Sequence, residues 1–185
     1  MSNIKILVCG DVKNPQRKYG DAGIDVFVPN YSEQFVNDLL DSNPDMTVEG
    51  NGGVNIHYSS VTNEYIIQLM PQYDIKIPTY LKTLIPSDMC LRMSNKSGVA
   101  LKQKLIVGAE IIDASYENDC NIHVFNAGHT ITEIHFGQKL AQMVPIKIEP
   151  SDIVVYNESE LSAEKFYKNH DHSRGLGGFG STGLY

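Results

Sequence analysis

The sequence predicts an all-β fold, and three observations lead there. Short apolar runs with period-two alternation recur along the chain. Turn signals separate them at close intervals. Prolines sit at the ends of several runs, as Pro78 and Pro86 do, where a missing N–H is tolerated at a strand end or sheet edge. Closely spaced short strands of this kind build sandwiches and barrels.

Taken in order, Ile4, Ile6 and Val8 alternate with Lys5 and Leu7 and predict an early strand. In residues 21–29 the small pair Ala22-Gly23 permits close backbone packing, and Asp25 stands against the apolar residues of a second strand. From about residue 30 to 72 the pattern changes. Ser32 is placed to cap a short helix, with Phe35, Val36, Leu39 and Leu40 at helical spacing and Asn43-Pro44 as its stop. Residues 49–53 read as a loop, and 54–57 and 64–70 as strands. Residues 75–78 and 84–86 read as two short strands punctuated by proline. Residues 94–102 form a polar turn with lysines. An apolar strand over 105–112 ends in Asp113, where a carboxylate can be partly desolvated and held in one orientation. Tyr116 follows three residues on, then the turn 117–119, and alternation from Cys120 to Phe125 completes a hairpin. Residues 150–173 are polar and read as a tether, with Leu161, Phe166 and Tyr167 as its anchors. His170-Asp171-His172 offers a transition metal too few ligands, since no third His or Cys lies nearby.

The chain has 185 residues, enough for one domain with a sizeable core. Its net charge of −7 argues against broad binding to nucleic acid or an anionic membrane. An anionic substrate must then be held by a local pocket. Three scattered cysteines fit a reducing compartment, and the expected location is the cytoplasm, or the host cytoplasm for a viral source. No signal-peptide pattern is visible and no apolar run reaches membrane length.

The last dozen residues carry the strongest chemical signal. Glycines at 175, 177, 178, 180 and 183 let main-chain N–H groups approach phosphate oxygens. Arg174 offers a planar fork of donors, Ser181 and Thr182 add hydroxyls, and Phe179 can lie flat on a heterocycle. Those groups suit a triphosphate and a base. The spacing is not that of a Walker loop, which requires Gly-Lys-Ser/Thr.

This segment, RGLGGFGSTG, closely resembles the fifth, C-terminal motif of the trimeric dUTPases, usually RGSGGFGSTG. Four other segments resemble the remaining motifs, in the same order. AGIDV resembles the first, AGxDL, which implies that Asp25 helps hold Mg²⁺, largely through water. NKSGVALK resembles the second, PRSGLALK, with Asn95 for the proline and Lys96 for the arginine. The resemblance assigns Lys96, Ser97 and Gly98 to the substrate's phosphates. VGAEIIDASY resembles the third, VGAGVIDxxY. It implies that Asp113 activates the attacking water, that the hairpin backbone pairs with uracil, and that Tyr116 packs beneath deoxyribose. Asn118 stands where the family often has glycine, and asparagine tolerates a left-handed turn conformation. GQKLAQM resembles the fourth, GDRIAQL, with Gln138 and Lys139 replacing an acid–arginine pair and Gln142 retained toward the phosphates.

The resemblance implies an all-β, jelly-roll-like barrel forming a homotrimer with sites at subunit boundaries. The implied reaction is Mg²⁺-assisted hydrolysis of dUTP to dUMP and pyrophosphate, with Arg174, Phe179, Gly180, Ser181 and Thr182 closing over the site. The expected organisation is a barrel domain over 1–156 and a linker and arm over 157–185. Residues 30–72 read as an insertion between the first two motifs. Its expected role is surface elaboration, with a platform for a regulatory protein as the alternative. A relationship to dCTP deaminases, which share the fold, is the other alternative. It calls for a glutamate base and an arginine that the NKSG segment lacks.

Overall fold

The computed structural model describes residues 3–44, 53–149, 151 and 153–168. The chain divides into two compact units, Met1–Glu149 and Pro150–Tyr185. The first contains β1 (Lys5–Val8), β2 (Ile24–Phe27), α1 (Glu33–Ser42), β3 (Val54–Ser59), β4 (Glu64–Leu69), β5 (Asp74–Leu84), β6 (Met89–Asn95), α2 (Ser97–Gln103), β7 (Leu105–Gly108), β8 (Ile111–Ile112), β9 (Cys120–Asn126), β10 (Thr132–His135) and β11 (Lys139–Lys147). The expected all-β fold is what forms. The strands make three sheets, in the orders β1-β5-β9-β7, β10-β4-β3 and β2-β11-β6-β8, and their pairings are antiparallel.

Alternation decides what each strand buries. In β9, Cys120, Ile122 and Val124 point into the core, while Asn121, His123 and Phe125 take the outer face. Apolar residues from all three sheets join one core cluster that includes Val26, Leu69, Ile77, Leu91, Val124 and Met143. This one core holds the site-bearing strands in fixed register.

The region 30–72 departs from expectation. Helix α1 forms as predicted, with the Ser32 hydroxyl accepting from the Phe35 amide at 3.1 Å. Its Phe35 and Leu39 are fully buried, and so are Ile67 and Leu69 of β4. Strand β4 is the central strand of its sheet, paired to β3 and β10. Asn43 closes the helix and docks it: its amide donates to the carbonyls of Leu39 and Lys76, both at 2.7 Å, and its oxygen accepts from the Lys76 amide at 2.8 Å. Helix α1 and β4 of this segment belong to the core, where surface elaboration was expected. Removing any one of these large side chains would cost about 2–5 kcal/mol.

Two further details differ from the sequence reading. Residues 74–84 form one strand, β5, and not two. Its register with β9 shifts between Pro78 and Leu81, so Thr79 and Tyr80 are extra residues. The proline's missing N–H falls at this irregularity, where the ladder is already interrupted. The hairpin around Tyr116 also has other strands than expected. β9 pairs with β7, and β8 crosses to β6. The break between β7 and β8 is at Ala109, whose φ of 48° is left-handed; Asn118 is not among the residues with positive φ. Arg92 holds the departing segment, with Nε and Nη2 on Glu110 Oε2 at 2.8 and 2.6 Å.

In the second unit, α3 (Ala163–Phe166) is a single turn. Phe166 meets Tyr156 and Tyr167 edge to face, at centroid distances of 6.4 and 4.9 Å. Residues 169–185 lie outside the described residues, and with them the His170–His172 segment and the arm residues Arg174, Phe179, Gly180, Ser181 and Thr182. Among the described residues, no helix is long and apolar enough to cross a membrane.

Candidate active site

Sheet order β2-β11-β6 brings three of the sequence motifs together. Gln142 of β11 lies opposite Asp25 of β2 on one side and Ser94 of β6 on the other. Lys96, Ser97 and Gly98 follow directly after β6, where the chain turns into α2. Gln142 Nε2 donates to the Asn95 carbonyl at 2.9 Å. A Cβ on Gly23 would collide with the Gln142 side-chain oxygen, which accounts for the Ala-Gly pair beside Asp25. No side chain caps the first turn of α2. Its amides are therefore available to an anion.

The charges here are arranged around Asp25. Lys96 Nζ pairs with Oδ1, and Lys139 Nζ lies 2.9 Å from Oδ2. Burial pushes the Asp25 carboxyl upward, but hydrogen bonds from Lys96 and Lys139, with their charges, outweigh it and hold the group below its ordinary value. Two adjoining pockets share Lys96 and Gln142. One, of about 390 Å³, also takes in Ser97, Gly98 and Lys102; the other, of about 480 Å³, takes in Lys18, Asp21, Asp25 and Lys139. Four lysines, with the carboxylates Asp21 and Asp25, thus line these two pockets on a chain of net charge −7.

The departures from the family motifs find roles in this geometry. Asn95 Oδ1 accepts from the Val107 amide at 2.7 Å, tying β6 to β7. Gln138 accepts from the His135 amide at 3.0 Å and donates to Gln103 Oε1 at 2.7 Å. Lys139 makes its ion pair within the chain, on Asp25. Sequence reasoning left Lys139 out of the site. Its signal was present in the fourth motif, but only the β2–β11 pairing shows which carboxylate it meets.

The pairing of Asp25 has a consequence for acid stability. Its native pKa is depressed, so its contribution is fully present above the unfolded value of about 3.9 and is lost as pH falls through the native value. Asp25→Asn should be less stable than the parent protein at pH 7, with the gap closing below about pH 4. Denaturant unfolding at pH 7 and pH 3 measures this. A gap of constant size would mean that charge pairing is not its source.

The described residues hold no group of three or more His, Cys, Asp or Glu side chains able to bind a metal. What the pocket offers Mg²⁺ is Asp25, already engaged by two ammonium groups, with Asp21 also on its lining. Mg²⁺ keeps several waters and is commonly held by one or two carboxylates plus substrate phosphates. The residues therefore fit a Mg²⁺ carried by a triphosphate and do not cage the bare ion.

Asp113 and Tyr116 lie elsewhere. The Tyr116 amide donates to the Asp113 carbonyl at 3.1 Å and closes the turn. The Tyr116 hydroxyl donates to the Asp119 carbonyl at 3.1 Å, as does Asn121 Nδ2 at 2.9 Å. The Asp113 side chain is exposed, so its own chain does not supply the expected desolvation. Register fixes how far it is from the lysines. Ile112 pairs with Leu91 on β6, and Lys96 follows the other end of that strand. At 3.2–3.4 Å per residue, the stretch of β6 from Leu91, opposite Ile112, to Asn95 spans about 13 Å, so Asp113 and Lys96 leave the sheet at opposite ends of that strand. The structure therefore gathers Asp25, Lys96, Ser97, Gly98 and Gln142 into one group, and Asp113 with Tyr116 into another.

The family model of dUTPase matches residues 59–183, a range that contains β4 and the second to fifth motifs. A deoxyuridine 5'-triphosphate nucleotidohydrolase of Picosynechococcus is 34% identical over 137 residues, covering 73% of this chain and 86% of that protein. The protein of the same name from Arabidopsis thaliana is 34% identical over 119 residues, covering 60% of this chain and 66% of its own length. Among solved structures, Staphylococcus bacteriophage 80alpha dUTPase with dUpNHpp aligns over 100% of both chains, with a TM-score of 0.67 and 18% identity. A phage phi11 dUTPase, solved to show coordination of a structural Mg(II) ion, gives a TM-score of 0.60 at 18% identity over 85% of this chain and 98% of that one. The structural neighbours agree with the fold, and the sequence matches decide the kinship: the chain belongs to the dUTPase family.

Proposed function

We propose that this chain hydrolyses dUTP to dUMP and pyrophosphate as a homotrimer with sites shared between subunits. The observation that carries the reading is that Asp113 and the lysine pocket lie at opposite ends of β6. A water attacking the α-phosphorus must lie within reach of both the base and the groups that hold the phosphates. A site that takes Asp113 from one subunit and the lysine pocket from another would bring the two groups together.

In this mechanism Asp113 takes a proton from water aligned on the α-phosphorus. Lys96 and Gln142, with the open amides of Ser97 and Gly98, bind the phosphates and receive the charge that gathers on the leaving pyrophosphate. Mg²⁺ bound to the triphosphate, steadied by Asp25 through water, would supply further neutralisation there. Tyr116 packs beneath the sugar, where a 2′-hydroxyl would clash. The arm, with Arg174, Phe179, Gly180, Ser181 and Thr182, excludes water and fixes the triphosphate in its reactive geometry. Such an activity limits uracil in DNA and provides dUMP for thymidylate synthesis.

The test is pyrophosphate release across dUTP, UTP, dCTP and dTTP, with ammonia assayed for dCTP. The expected result is turnover of dUTP, much poorer turnover of UTP, and no ammonia. Tyr116→Ala should narrow the gap between UTP and dUTP. Equal rates on those two in the unmodified protein would remove Tyr116 from sugar selection.

A further inference from the structure

Helix α1 is joined to the Tyr116 turn by a continuous chain of contacts. The chain starts at the β5 irregularity. Tyr80 there has φ 57°, a left-handed conformation that is uncommon for a bulky aromatic residue. Several contacts hold it. A Cβ on Gly10 would strike the Tyr80 ring, so the glycine leaves room for it. Phe35 of α1 meets that ring edge to face at 5.8 Å. The Tyr80 carbonyl accepts from the Cys9 amide at 2.8 Å. The Tyr80 hydroxyl donates to Asp38 of α1. Burial, then the Asp38 carboxylate, push the phenol above its ordinary value, so it remains a donor.

The other extra residue reaches the turn itself. Thr79 is fully buried, and its hydroxyl donates at 2.6 Å to the carbonyl of Cys120, the first residue after the turn. Asp119, one residue earlier, accepts through its carbonyl from the Tyr116 hydroxyl. A pocket of about 470 Å³ lies between these parts, lined by Asp38 and Asp41 of α1, Tyr80 and Lys82 of β5, and Tyr116 and Asp119 of the turn. Lys82 Nζ is 3.9 Å from Asp119 Oδ1 across it.

We propose that Asp38 and Tyr80 are positioning residues for the Tyr116 turn, through which α1 sets nucleoside affinity and sugar discrimination. The proposal rests on the dUTP reading above and extends it. The pair need not touch substrate. Asp38 holds Tyr80 in its strained conformation, the strained bulge directs Thr79 onto Cys120, and the turn that presents Tyr116 is fixed at its base. Losing the Asp38 anchor lets the bulge relax and the turn shift.

The experiment uses full-length protein and begins with dUTP turnover by the parent. Absence of that turnover would refute the proposed function and not this linkage. Tyr80→Phe keeps the ring against Gly10 and Phe35 and loses only the hydroxyl. It should raise KM for dUTP and Kd for dUMP about five- to tenfold, with a smaller effect on kcat, and should narrow discrimination against UTP. Asp38→Ala should reproduce these changes, whereas Asp38→Asn retains an acceptor and should restore values near the parent's. The rescue distinguishes positioning from general destabilisation. If Tyr80→Phe fails to fold, the Asp38→Ala and Asp38→Asn pair gives the same comparison. The linkage is overturned if Tyr80→Phe or Asp38→Ala folds with parental KM, dUMP affinity and UTP discrimination, or if Asp38→Asn fails to rescue.

Discussion

Asp113→Asn should leave nucleotide affinity nearly unchanged while lowering dUTP turnover about 10²–10⁴-fold or more. The amide keeps the shape of the carboxylate but cannot accept a proton from the attacking water. The turn should survive the change, because the bond that closes it runs from the Tyr116 amide to the Asp113 carbonyl and spares the side chain. The exposed position in the single chain also means that no buried partner is orphaned. The measurements are pyrophosphate release in single turnovers and calorimetric binding of a non-hydrolysable dUTP analogue. Turnover near the parental rate would move the base to another residue. Loss of binding together with turnover would show that the Asp113 side chain holds the nucleotide.

How much of this was legible in the sequence depended on the range of each interaction. The capped helix at Ser32 and the alternation of Cys120, Ile122 and Val124 are local, and both forms were readable. The burial of Phe35 and Leu39 was not, because the partner surface of α1 comes from strands distant in sequence. Apolar spacing shows that a helix has a face; it does not say whether that face meets the main core. The β5 bulge was hidden for a related reason. Pro78 breaks the run locally and suggests two strands, and only the facing strand shows that pairing resumes at Leu81. At the site, the motifs gave residue identities without distances. Asp25, Lys96 and Gln142 come together because β2, β11 and β6 are neighbours in one sheet. Asp113 belongs to the same sheet through β8, yet register places it at the far end of β6. Motif order carries neither fact.

The lysines illustrate the same limit. Lysine at 96 and 139, where the resembled motifs have arginine, keeps the charge and loses the planar fork. The structure shows the two ammonium groups converging on the two oxygens of Asp25. Each point charge satisfies one oxygen, a geometry that does not need a fork.

Truncation after Ser173 should give the other large loss. It removes Arg174, Phe179, Gly180, Ser181 and Thr182 together. Among the described residues, the core cluster is built from the first unit, so that unit should fold with its stability nearly unchanged. Affinity for dUMP should also change little, since the Tyr116 turn remains. What goes is the clamp on the phosphates and the exclusion of water. Turnover should fall about 10²-fold or more, in the range seen when a donor to developing negative charge is lost. Phe179→Ala alone should be milder, because one stacking contact is worth about 1–3 kcal/mol. Steady-state hydrolysis beside dUMP calorimetry separates the two effects. Mixing then tests the shared site. Neither the truncated chain nor the Asp113→Asn chain should turn over dUTP well alone. Refolded together as mixed trimers, they should recover a fraction of parental activity, because some sites combine an intact arm from one chain with Asp113 from another. Recovery requires that the arm and the base serve a site from different subunits. A truncated trimer that turns over at the full-length rate would exclude the arm from the reaction, and mixed trimers without recovery would place arm and base on the same chain.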